Sequence, residues 1–202
     1  MAESESGNLA AIILAAGLGS RFGGGKLLAP FRGRPLIAGA LASALAAPVG
    51  PVVIALGDDP DLEAAILGIG GDHPMKLARV TDPARGMGAS LAAAALAVPI
   101  DIDGVFVFLG DMPLVGPEVA PALIRALAGR DGIAAPVHAG QRGHPVLFGG
   151  DWIPALRKLD GDIGAQTLIR QAGERFVAVE TDDAGVLLDI DRPEDIGLAQ
   201  SV

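Results

Sequence analysis

Residues 12–26 read Ile-Ile-Leu-Ala-Ala-Gly-Leu-Gly-Ser-Arg-Phe-Gly-Gly-Gly-Lys, an apolar run that leads directly into a glycine-rich stretch. That stretch holds five glycines together with Arg21 and Lys26. Glycines let a backbone approach a ligand closely and expose N–H donors, and two cations in one loop can neutralise phosphate charge. We therefore expect a nucleoside triphosphate to bind here, directly after a buried strand.

Two familiar phosphate-binding motifs do not fit this stretch. A Walker A loop needs Ser or Thr after its Gly-Lys pair, but Leu27 stands there, and Ser20 occupies the position of its first glycine. The dinucleotide-binding fingerprint needs a third glycine where this chain has Phe22, and no acidic residue follows about 20 residues later. A surface loop that binds nothing is the remaining alternative, and the buried strand before the cationic loop argues against it.

Composition restricts the class of protein. The chain has 202 residues, of which 50% are hydrophobic, and a net charge of −9. That length supports a substantial core, and the acidic balance disfavours binding to nucleic acid or to an anionic membrane. The absence of cysteine excludes disulfides and thiolate metal sites. We expect a cytoplasmic protein that uses metal ions and a few placed cations to handle phosphates.

The order of apolar runs predicts a three-layer α/β/α Rossmann-like fold with a mostly parallel sheet, because strand-length runs alternate with Ala/Leu-rich helical segments. The predicted strands are Ala10–Ala15, Pro51–Leu56, Leu77–Val80, Gly104–Leu109, Gly132–Ala135, Pro145–Phe148, Phe176–Val179 and Val186–Ile190. The predicted helices are Pro35–Ala47, Pro60–Leu67, Ala89–Val98 and Pro117–Ala128.

We expect one domain over residues 9–202, preceded by a disordered acidic tail at residues 1–8. After residue 130 the strands become shorter and their joints richer in Gly and Pro. Residues 131–185 are therefore expected to form a small substrate-side lobe within that domain.

Three aspartates lie at or near the ends of predicted strands and are candidate metal ligands. Asp111 comes directly after the strand that ends at Leu109, and it lies too early to cap the next helix. Asp189 and Asp191 point to the same side in an extended backbone, although Asp191 could instead cap a helix near Pro193. Ligands of parallel sheets bind beyond the carboxyl ends of the strands. Two carboxylates there, with triphosphate oxygens, suit Mg²⁺.

Two further glycine-containing segments precede predicted elements. Gly86-Met87-Gly88-Ala89-Ser90 is either a turn that starts a helix or a loop that closes over a base or ribose. Gly143-His144-Pro145 opens a strand, and a single histidine is more often structural than catalytic. No Ser or Cys nucleophile set accompanies it.

With those residues in view, the chain resembles the molybdenum cofactor nucleotidyltransferases, and within them the cytidylyltransferases. The similarity covers nearly the whole chain and rests on the segments 12–28, 86–91, 109–113, 142–148 and 189–195. Guanylyl relatives tend to carry Gly at the position of Ala16, where a methyl group would narrow the slot for the base. They often carry Asn where this chain has Asp189 and Asp191.

The resemblance implies transfer of CMP from CTP to the terminal phosphate of molybdopterin or molybdenum cofactor, with release of pyrophosphate. Lys26, Arg21 and Asp111 would be catalytic, and Mg²⁺ would be held by Asp111 with Asp191 or Asp189. The nucleotide would lie against Leu14, Ala15, Ala16, Gly17, Gly19, Arg21, Lys26, Gly88 and Ser90. Arg142, His144 and Asp162 are weaker candidates for the acceptor side, and a recipient molybdoenzyme or its chaperone is a candidate transient partner.

Three other functions remain open at this point. The same fold serves guanylyltransferases and nucleotidyltransferases that act on sugar phosphates. A protein that carries the cofactor without catalysis is the non-enzymatic alternative, although a carrier has no need of a metal at a leaving group.

Overall fold

The computed structural model describes residues 8–17, 19–162 and 164–199, so that the expected tail, apart from Asn8, lies outside the described residues. The strands are β1 (Leu9–Leu14), β2 (Pro30–Phe31), β3 (Arg34–Pro35), β4 (Val52–Leu56), β5 (Met75–Arg79), β6 (Gly104–Leu109), β7 (Ile133–His138), β8 (Gln141–Arg142), β9 (Val146–Gly149) and β10 (Phe176–Glu180). The helices are α1 (Ile37–Ala46), α2 (Pro60–Gly70), α3 (Met87–Ala97), α4 (Val119–Ala126), α5 (Ile153–Leu156), α6 (Gln166–Ala172) and α7 (Pro193–Ala199). Within the described ranges, no helix is long and apolar enough to cross a membrane.

Strand β1 lies inside the main sheet, whose strand order is β10-β7-β9-β6-β1-β4-β5, with β8 paired to β7. It runs parallel to β4 on one side and to β6 on the other, with Leu14 level with Leu109. Continuous apolar sequence suits a strand that is covered on both faces. Because parallel strands end at the same edge, the segments after β1, β4 and β6 meet there.

The side chains of β1 divide the core into two apolar clusters, one on each face of the sheet. Ala11 and Ile13 pack in the cluster that receives α1, α2 and α4. Ala10 and Ile12 pack in the cluster that receives α3, α5 and α6. This alternation follows from the two-residue period of a strand. The predicted three-layer α/β fold is confirmed.

The second half of the chain extends the same sheet with mixed strand directions. β9 runs antiparallel between β6 and β7, and β10 lies parallel to β7 at the edge of the sheet. The joint between β7 and β8 is a hairpin turn, whereas α5 and α6 lie between β9 and β10.

The predicted strand Val186–Ile190 is wrong. Residues 184–187 form a 3₁₀ turn, and the carboxylate of Asp183 accepts a hydrogen bond from the Gly185 N–H at 2.8 Å. The main chain here crosses the ends of other strands: the Val186 carbonyl accepts from the His144 N–H, and the Ile190 N–H donates to the Asp111 carbonyl. Val186 and Ile190 are buried although they do not belong to the sheet. The apolar character of this segment therefore reflects burial and not a strand.

The first predicted helix begins two residues too early. Pro35 pairs with Pro30 in the two-stranded ribbon β2–β3, and α1 starts at Ile37.

Helix α1 supports the segment after β6 through a glycine. A Cβ at Gly39 would lie 2.2 Å from the carbonyl oxygen of Pro113, which is two residues beyond Asp111. Only a residue without a side chain allows this backbone approach. The position of the Asp111 segment therefore depends on Gly39.

We predict that Gly39→Ala destabilises the protein by about 1–3 kcal/mol, because the added methyl overpacks this contact. The matched control is Gly68→Ala in α2, where a Cβ meets nothing within 4 Å. That change should stabilise by up to about 1 kcal/mol, since alanine favours a helix over glycine. Chemical denaturation measures both. Equal effects of the two substitutions would contradict the packing role of Gly39.

Candidate active site

The glycine-rich loop after β1 is built from short turns. Residues 20–22 and 26–28 form 3₁₀ turns, and Gly23, Gly24 and Gly25 between them have φ values of 87°, 96° and 62°. Three successive residues in that region of backbone space require glycine. A Cβ at Gly19 would lie 3.2 Å from the Lys26 Cβ, so that the loop folds back against the lysine.

Lys26 joins two of the predicted metal-ligating aspartates. Its Nζ donates to Asp111 Oδ2 at 2.6 Å and to Asp191 Oδ1 at 3.3 Å. Arg21 Nη1 donates to the other oxygen of Asp191 at 2.9 Å. The Lys26 side chain is 12% exposed and that of Arg21 is 72% exposed. Lys26 is therefore enclosed by the cluster, whereas Arg21 lies on its outer side.

Hydrogen bonds to the main chain hold the segments that carry the two aspartates in place. The Ile190 N–H donates to the Asp111 carbonyl at 3.0 Å, which ties residues 189–191 to the end of β6. The carboxylate of Asp195, within α7, accepts from the N–H groups of Asp191 and Arg192. The carboxylate of Asp191 is bonded to Lys26 and Arg21, so the alternative in which Asp191 caps a helix is not what the structure shows.

The cluster changes the ionisation of its members. Partial burial raises the pKa of the Asp189 carboxyl, and the negative charges of Asp111 and Asp191 raise it further. Burial works in the same direction on Asp191, but hydrogen bonds and charge from Lys26 and Arg21 hold its pKa below the usual value. Burial of Lys26 lowers the pKa of its ammonium, and Asp111 and Asp191 outweigh that effect and raise it. Lys26 thus carries a full positive charge among three acidic side chains.

The donor set fits a magnesium-type cation completed by phosphate oxygens. No group of three His, Cys, Asp or Glu side chains converges as a ready metal site in the described part of the chain. Asp111 and Asp191 do turn oxygens toward one point, which the Lys26 ammonium occupies. Mg²⁺ is commonly bound through one or two carboxylates together with substrate phosphates.

A cleft of 430 Å³ opens beside this cluster. It brings together the glycine-rich loop, the segment that starts α3, Asp111 and Asp162. Its lining residues are Leu14, Ala16, Gly17, Gly19, Ser20, Pro83, Ala84, Gly86, Met87, Ser90, Leu109, Asp111 and Asp162. We call this space the main cleft, and most of the predicted nucleotide contacts border it.

Several of the predicted nucleotide residues already have partners or neighbours within the protein. Ala15 and Lys26 line a second depression of 190 Å³, which also borders Ala16 and Gly17. The Ala15 N–H already donates to the Ala55 carbonyl. The Gly88 N–H donates to the Gly161 carbonyl, so that Gly88 has a packing role in the structure. Ser90 is buried, and its hydroxyl donates to the Gly86 carbonyl at 3.3 Å.

The three acceptor-side candidates Arg142, His144 and Asp162 border one further space, which we call the apolar cavity. Its volume is 150 Å³. Its lining residues are Leu14, Met87, Leu91, Val107, Leu109, Arg142, His144, Val146, Phe148, Asp162, Gly164, Ala165, Gln166 and Ile169. Leu14, Met87, Leu109 and Asp162 also line the main cleft, so the two spaces are neighbours.

Sequence reasoning missed the contact that closes this side of the site. Arg85 donates to the Asp160 carboxylate at 2.7 Å, just before the segment with Gly161 and Asp162. A Cβ at Gly86 would lie 2.1 Å from an Asp162 oxygen, so that glycine permits the contact. In the sequence, Asp82-Pro83 and Gly86 indicate a turn on the Arg85 side of this contact. No sequence pattern near Asp160 indicates the other side.

Comparison with known proteins identifies the relatives of this arrangement. The model of the MobA-like NTP transferase domain matches residues 11–176. Nicotine blue oxidoreductase of Paenarthrobacter nicotinovorans is 30% identical over 191 residues, which cover 91% of this chain and 92% of that protein. The bifunctional protein GlmU of Kineococcus radiotolerans is 36% identical over 123 residues, which cover 59% of this chain and 24% of the relative. The chain thus spans about a quarter of that relative's length.

A cytidylyltransferase and several solved structures are also similar. The 3-deoxy-manno-octulosonate cytidylyltransferase of Methylobacterium nodulans is 35% identical over 59% of this chain and 47% of the relative. The Rv0371c homolog from Mycobacterium sp. strain JC1 superposes with a TM-score of 0.79 at 26% identity, over 96% of this chain and 95% of that one. The manganese complex of Rv0371c from Mycobacterium tuberculosis has a TM-score of 0.72 at 24% identity, over 96% and 98% of the chains, and shows the same fold.

We predict that Lys26→Met raises the pKa of the Asp191 carboxyl in the metal-free protein, because a hydrogen bond and a positive charge are removed. In the wild type, the ion pair of Asp191 with Lys26 is fully present above the ordinary Asp pKa of about 3.9. It is lost as the pH falls through the lower pKa that Asp191 has in the folded protein. Carboxyl ¹³C NMR titration measures the shift, with Lys76→Met on β5 as a control of equal charge. An Asp191 titration curve that is the same in both variants would refute the arrangement.

Proposed function

The chain belongs to the MobA-like NTP transferase family of nucleotidyltransferases, and we propose that it transfers CMP from CTP to the terminal phosphate of molybdopterin or molybdenum cofactor, releasing pyrophosphate. The single observation that carries the proposal is the position of the Lys26 ammonium. It lies between Asp111 and Asp191 and at the end of the glycine-rich loop. A cation with two carboxylates at the mouth of a cleft is the arrangement that nucleotidyl transfer needs.

Charge neutralisation is the main task of such a site, since a triphosphate brings several negative charges next to acidic side chains. The Lys26 ammonium lies between Asp111 and Asp191, and it would move to a phosphate oxygen when Mg²⁺ binds to those carboxylates. Arg21 is exposed and bonded to a single carboxylate, so it can move from Asp191 to a phosphate without a large rearrangement. Lys26 and Arg21 would together bind the triphosphate and then the leaving pyrophosphate.

The reaction itself needs alignment more than acid–base catalysis. A phosphate oxygen of the acceptor forms a bond to the α-phosphorus of CTP, and the bond from that phosphorus to the β-phosphate bridging oxygen breaks. The acceptor phosphate is already an anion, so no proton has to be removed from it. Asp111 with Asp191 would hold Mg²⁺, which when bound supplies positive charge to the α-phosphate and the leaving pyrophosphate. The glycine-rich loop and α3 would hold the reacting groups in line.

Different observations support CTP as the nucleotide and molybdopterin as the acceptor. Ala16 is almost fully buried beside the main cleft, and its methyl group leaves less room for a base than glycine would. A relative whose name gives it cytidylyltransferase activity is consistent with CTP. The apolar cavity, with Arg142 at its border, offers a place for an acceptor that combines a ring system with a negatively charged group.

Specific observations favour two alternatives. The GlmU and 3-deoxy-manno-octulosonate relatives favour a sugar phosphate or sugar acid as acceptor. The nicotine blue oxidoreductase relative spans nearly the whole chain and favours a redox reaction in the same cleft. A redox enzyme or a non-catalytic carrier would release no pyrophosphate.

We predict that the purified protein releases pyrophosphate from CTP, with Mg²⁺ and extracted molybdenum cofactor, faster than from GTP, ATP or UTP. Lys26→Met should reduce that rate about 100-fold or more, the scale of losing one preorganised electrostatic group. Lys76→Met is the matched control and should retain the wild-type rate. Faster pyrophosphate release with a hexose 1-phosphate or 3-deoxy-manno-octulosonate would identify that compound as the acceptor in place of molybdenum cofactor. No pyrophosphate release with any pair of nucleotide and acceptor would reject nucleotidyl transfer altogether.

We predict that Asp111→Asn shifts the Mg²⁺ dependence of turnover to a higher concentration by about tenfold or more, since an amide binds a hard cation more weakly than a carboxylate. Asp151→Asn, an exposed carboxylate on the far edge that pairs with Arg130, is the control. The activity of each variant is titrated with Mg²⁺ and with Mn²⁺. A metal titration of Asp111→Asn that matches wild type would remove Asp111 from the metal site.

A further inference from the structure

Asp195 makes one hydrogen bond that the start of a helix does not require. It is the third residue of α7, and its Oδ2 accepts from the Arg192 N–H at 2.7 Å and from the Asp191 N–H at 2.9 Å. The bond to Arg192 is half of a capping box, whose other half is missing because an arginine side chain has no acceptor. The bond to Asp191 lies one residue further from the helix, where no cap needs it.

The two bonds fix the backbone on both sides of the Asp191 Cα. The Asp191 N–H belongs to the peptide unit before this Cα, and the Arg192 N–H belongs to the peptide unit after it. A residue has only two soft backbone dihedrals, and holding both peptide units restricts both of them. The direction of the Asp191 side chain follows from those dihedrals. Its carboxylate then reaches Lys26 with Oδ1 and Arg21 with Oδ2.

Helix α7, which carries Asp195, is itself anchored at its far end. Arg32 Nη2 donates to the Ala199 carbonyl at 3.3 Å, and Ala199 is fully buried. Arg32 belongs to the turn of the β2–β3 ribbon, and its guanidinium lies 5.5 Å from the centroid of the Phe31 ring. This ribbon comes directly after the turn that contains Lys26. The helix is therefore a fixed support from which Asp195 holds the backbone of Asp191.

We propose that Asp195 is a positioning residue of the candidate metal site. By accepting from the N–H groups of Asp191 and Arg192, it aims the Asp191 carboxylate at the point toward which Asp111 also turns an oxygen. The role of Asp195 rests on the proposed function, in which Asp111 and Asp191 hold the metal ion. Asp195 touches neither the metal nor the nucleotide, and its effect on metal affinity passes through Asp191.

Three substitutions separate the hydrogen bonds of Asp195 from its charge. Asp195→Ala removes the acceptor and the charge together. Asp195→Asn removes the charge but keeps an amide oxygen that can accept from both N–H groups. Glu194→Ala is the matched control, because it removes the same charge from the same turn of α7. The exposed Glu194 carboxylate pairs with the Arg192 side chain at 3.7 Å and makes no bond to the Asp191 backbone.

Metal dependence of nucleotide binding tests the proposal without turnover. The probe is a CTP analogue with a methylene group between the α and β phosphorus atoms, bound at increasing Mn²⁺ and measured by calorimetry. We expect Asp195→Ala to raise the Mn²⁺ concentration for half-maximal binding about tenfold or more, the usual effect of losing a group that orients a metal ligand. Asp195→Asn should stay within about threefold of wild type, because it keeps the acceptor. Glu194→Ala should stay within about twofold, as for an exposed ion pair.

The binding data also separate positioning from general damage to the cleft. At saturating Mn²⁺, the affinity of Asp195→Ala for the analogue should return to the wild-type value, because only the metal ligand is affected. Weaker binding of the analogue at every Mn²⁺ concentration, together with a lower melting temperature, would show a purely structural aspartate and would overturn the proposal.

Amide hydrogen exchange tests the two hydrogen bonds in the metal-free protein. In ¹⁵N-labelled protein, the Asp191 and Arg192 N–H groups should exchange more slowly in wild type and Asp195→Asn than in Asp195→Ala. If Asp195→Ala does not fold, Asp195→Glu replaces it. This variant keeps the charge and the bond to the Arg192 N–H, as in a capping box, but displaces the acceptor from Asp191. We expect faster exchange at Asp191 alone and a higher Mn²⁺ requirement.

The outcomes distinguish this role from the proposed function. Wild-type protein that neither binds the analogue with Mn²⁺ nor releases pyrophosphate from any nucleotide and acceptor pair rejects the proposed function. Normal wild-type binding, with the same Mn²⁺ dependence in Asp195→Ala and Glu194→Ala, rejects the role of Asp195 alone. Asp195→Asn as impaired as Asp195→Ala would assign the effect to charge and reject that role too, as would a wild-type Asp191 N–H that exchanges as fast as in Asp195→Ala.

Discussion

The site depends on the ion pairs that the Lys26 ammonium makes with Asp111 and Asp191. Asp111 ends β6, and Asp189 and Asp191 belong to a separate segment held against it by the Ile190 N–H. Without a cation between them, these carboxylates would repel one another at close range. Lys26 reaches this point because the glycines before it turn the chain back from the end of β1. The loop, the end of β6 and the segment before α7 thus form one cluster of charged side chains. Because the cluster already contains three carboxylates, an anion such as a triphosphate needs a cation to bind beside it.

Much of the frame could be predicted from the sequence. Apolar runs placed β1, β4, β6 and their helices, because strands buried on both faces have continuous apolar sequence. The rule that ligands bind beyond parallel strand ends correctly grouped Lys26 with Asp111. The strand expected at Val186–Ile190 was wrong, because burial there comes from packing across strand ends and hydrogen bonding goes to His144 and Asp111. Local patterns cannot show which main-chain groups a distant segment will satisfy.

The less predictable parts of the site are contacts between segments far apart in the chain. Nothing near Asp160 indicates its ion pair with Arg85, and only the folded chain brings Asp162 beside Gly86. The unpaired Nδ1 of His144 is also invisible in sequence, because it depends on which groups the folded chain packs around the ring. The main cleft and the apolar cavity adjoin, because both are lined by Leu14, Met87, Leu109 and Asp162.

A crystal structure with a non-hydrolysable CTP analogue and Mn²⁺, with the metal located by its anomalous scattering, tests the role of Lys26 and the two aspartates directly. We predict an anomalous peak beside the carboxylates of Asp111 and Asp191, and a Lys26 ammonium that has moved from those carboxylates to a phosphate oxygen. A triphosphate bound away from the glycine-rich loop, or a metal held elsewhere while Lys26 still bridges the two aspartates, would contradict it.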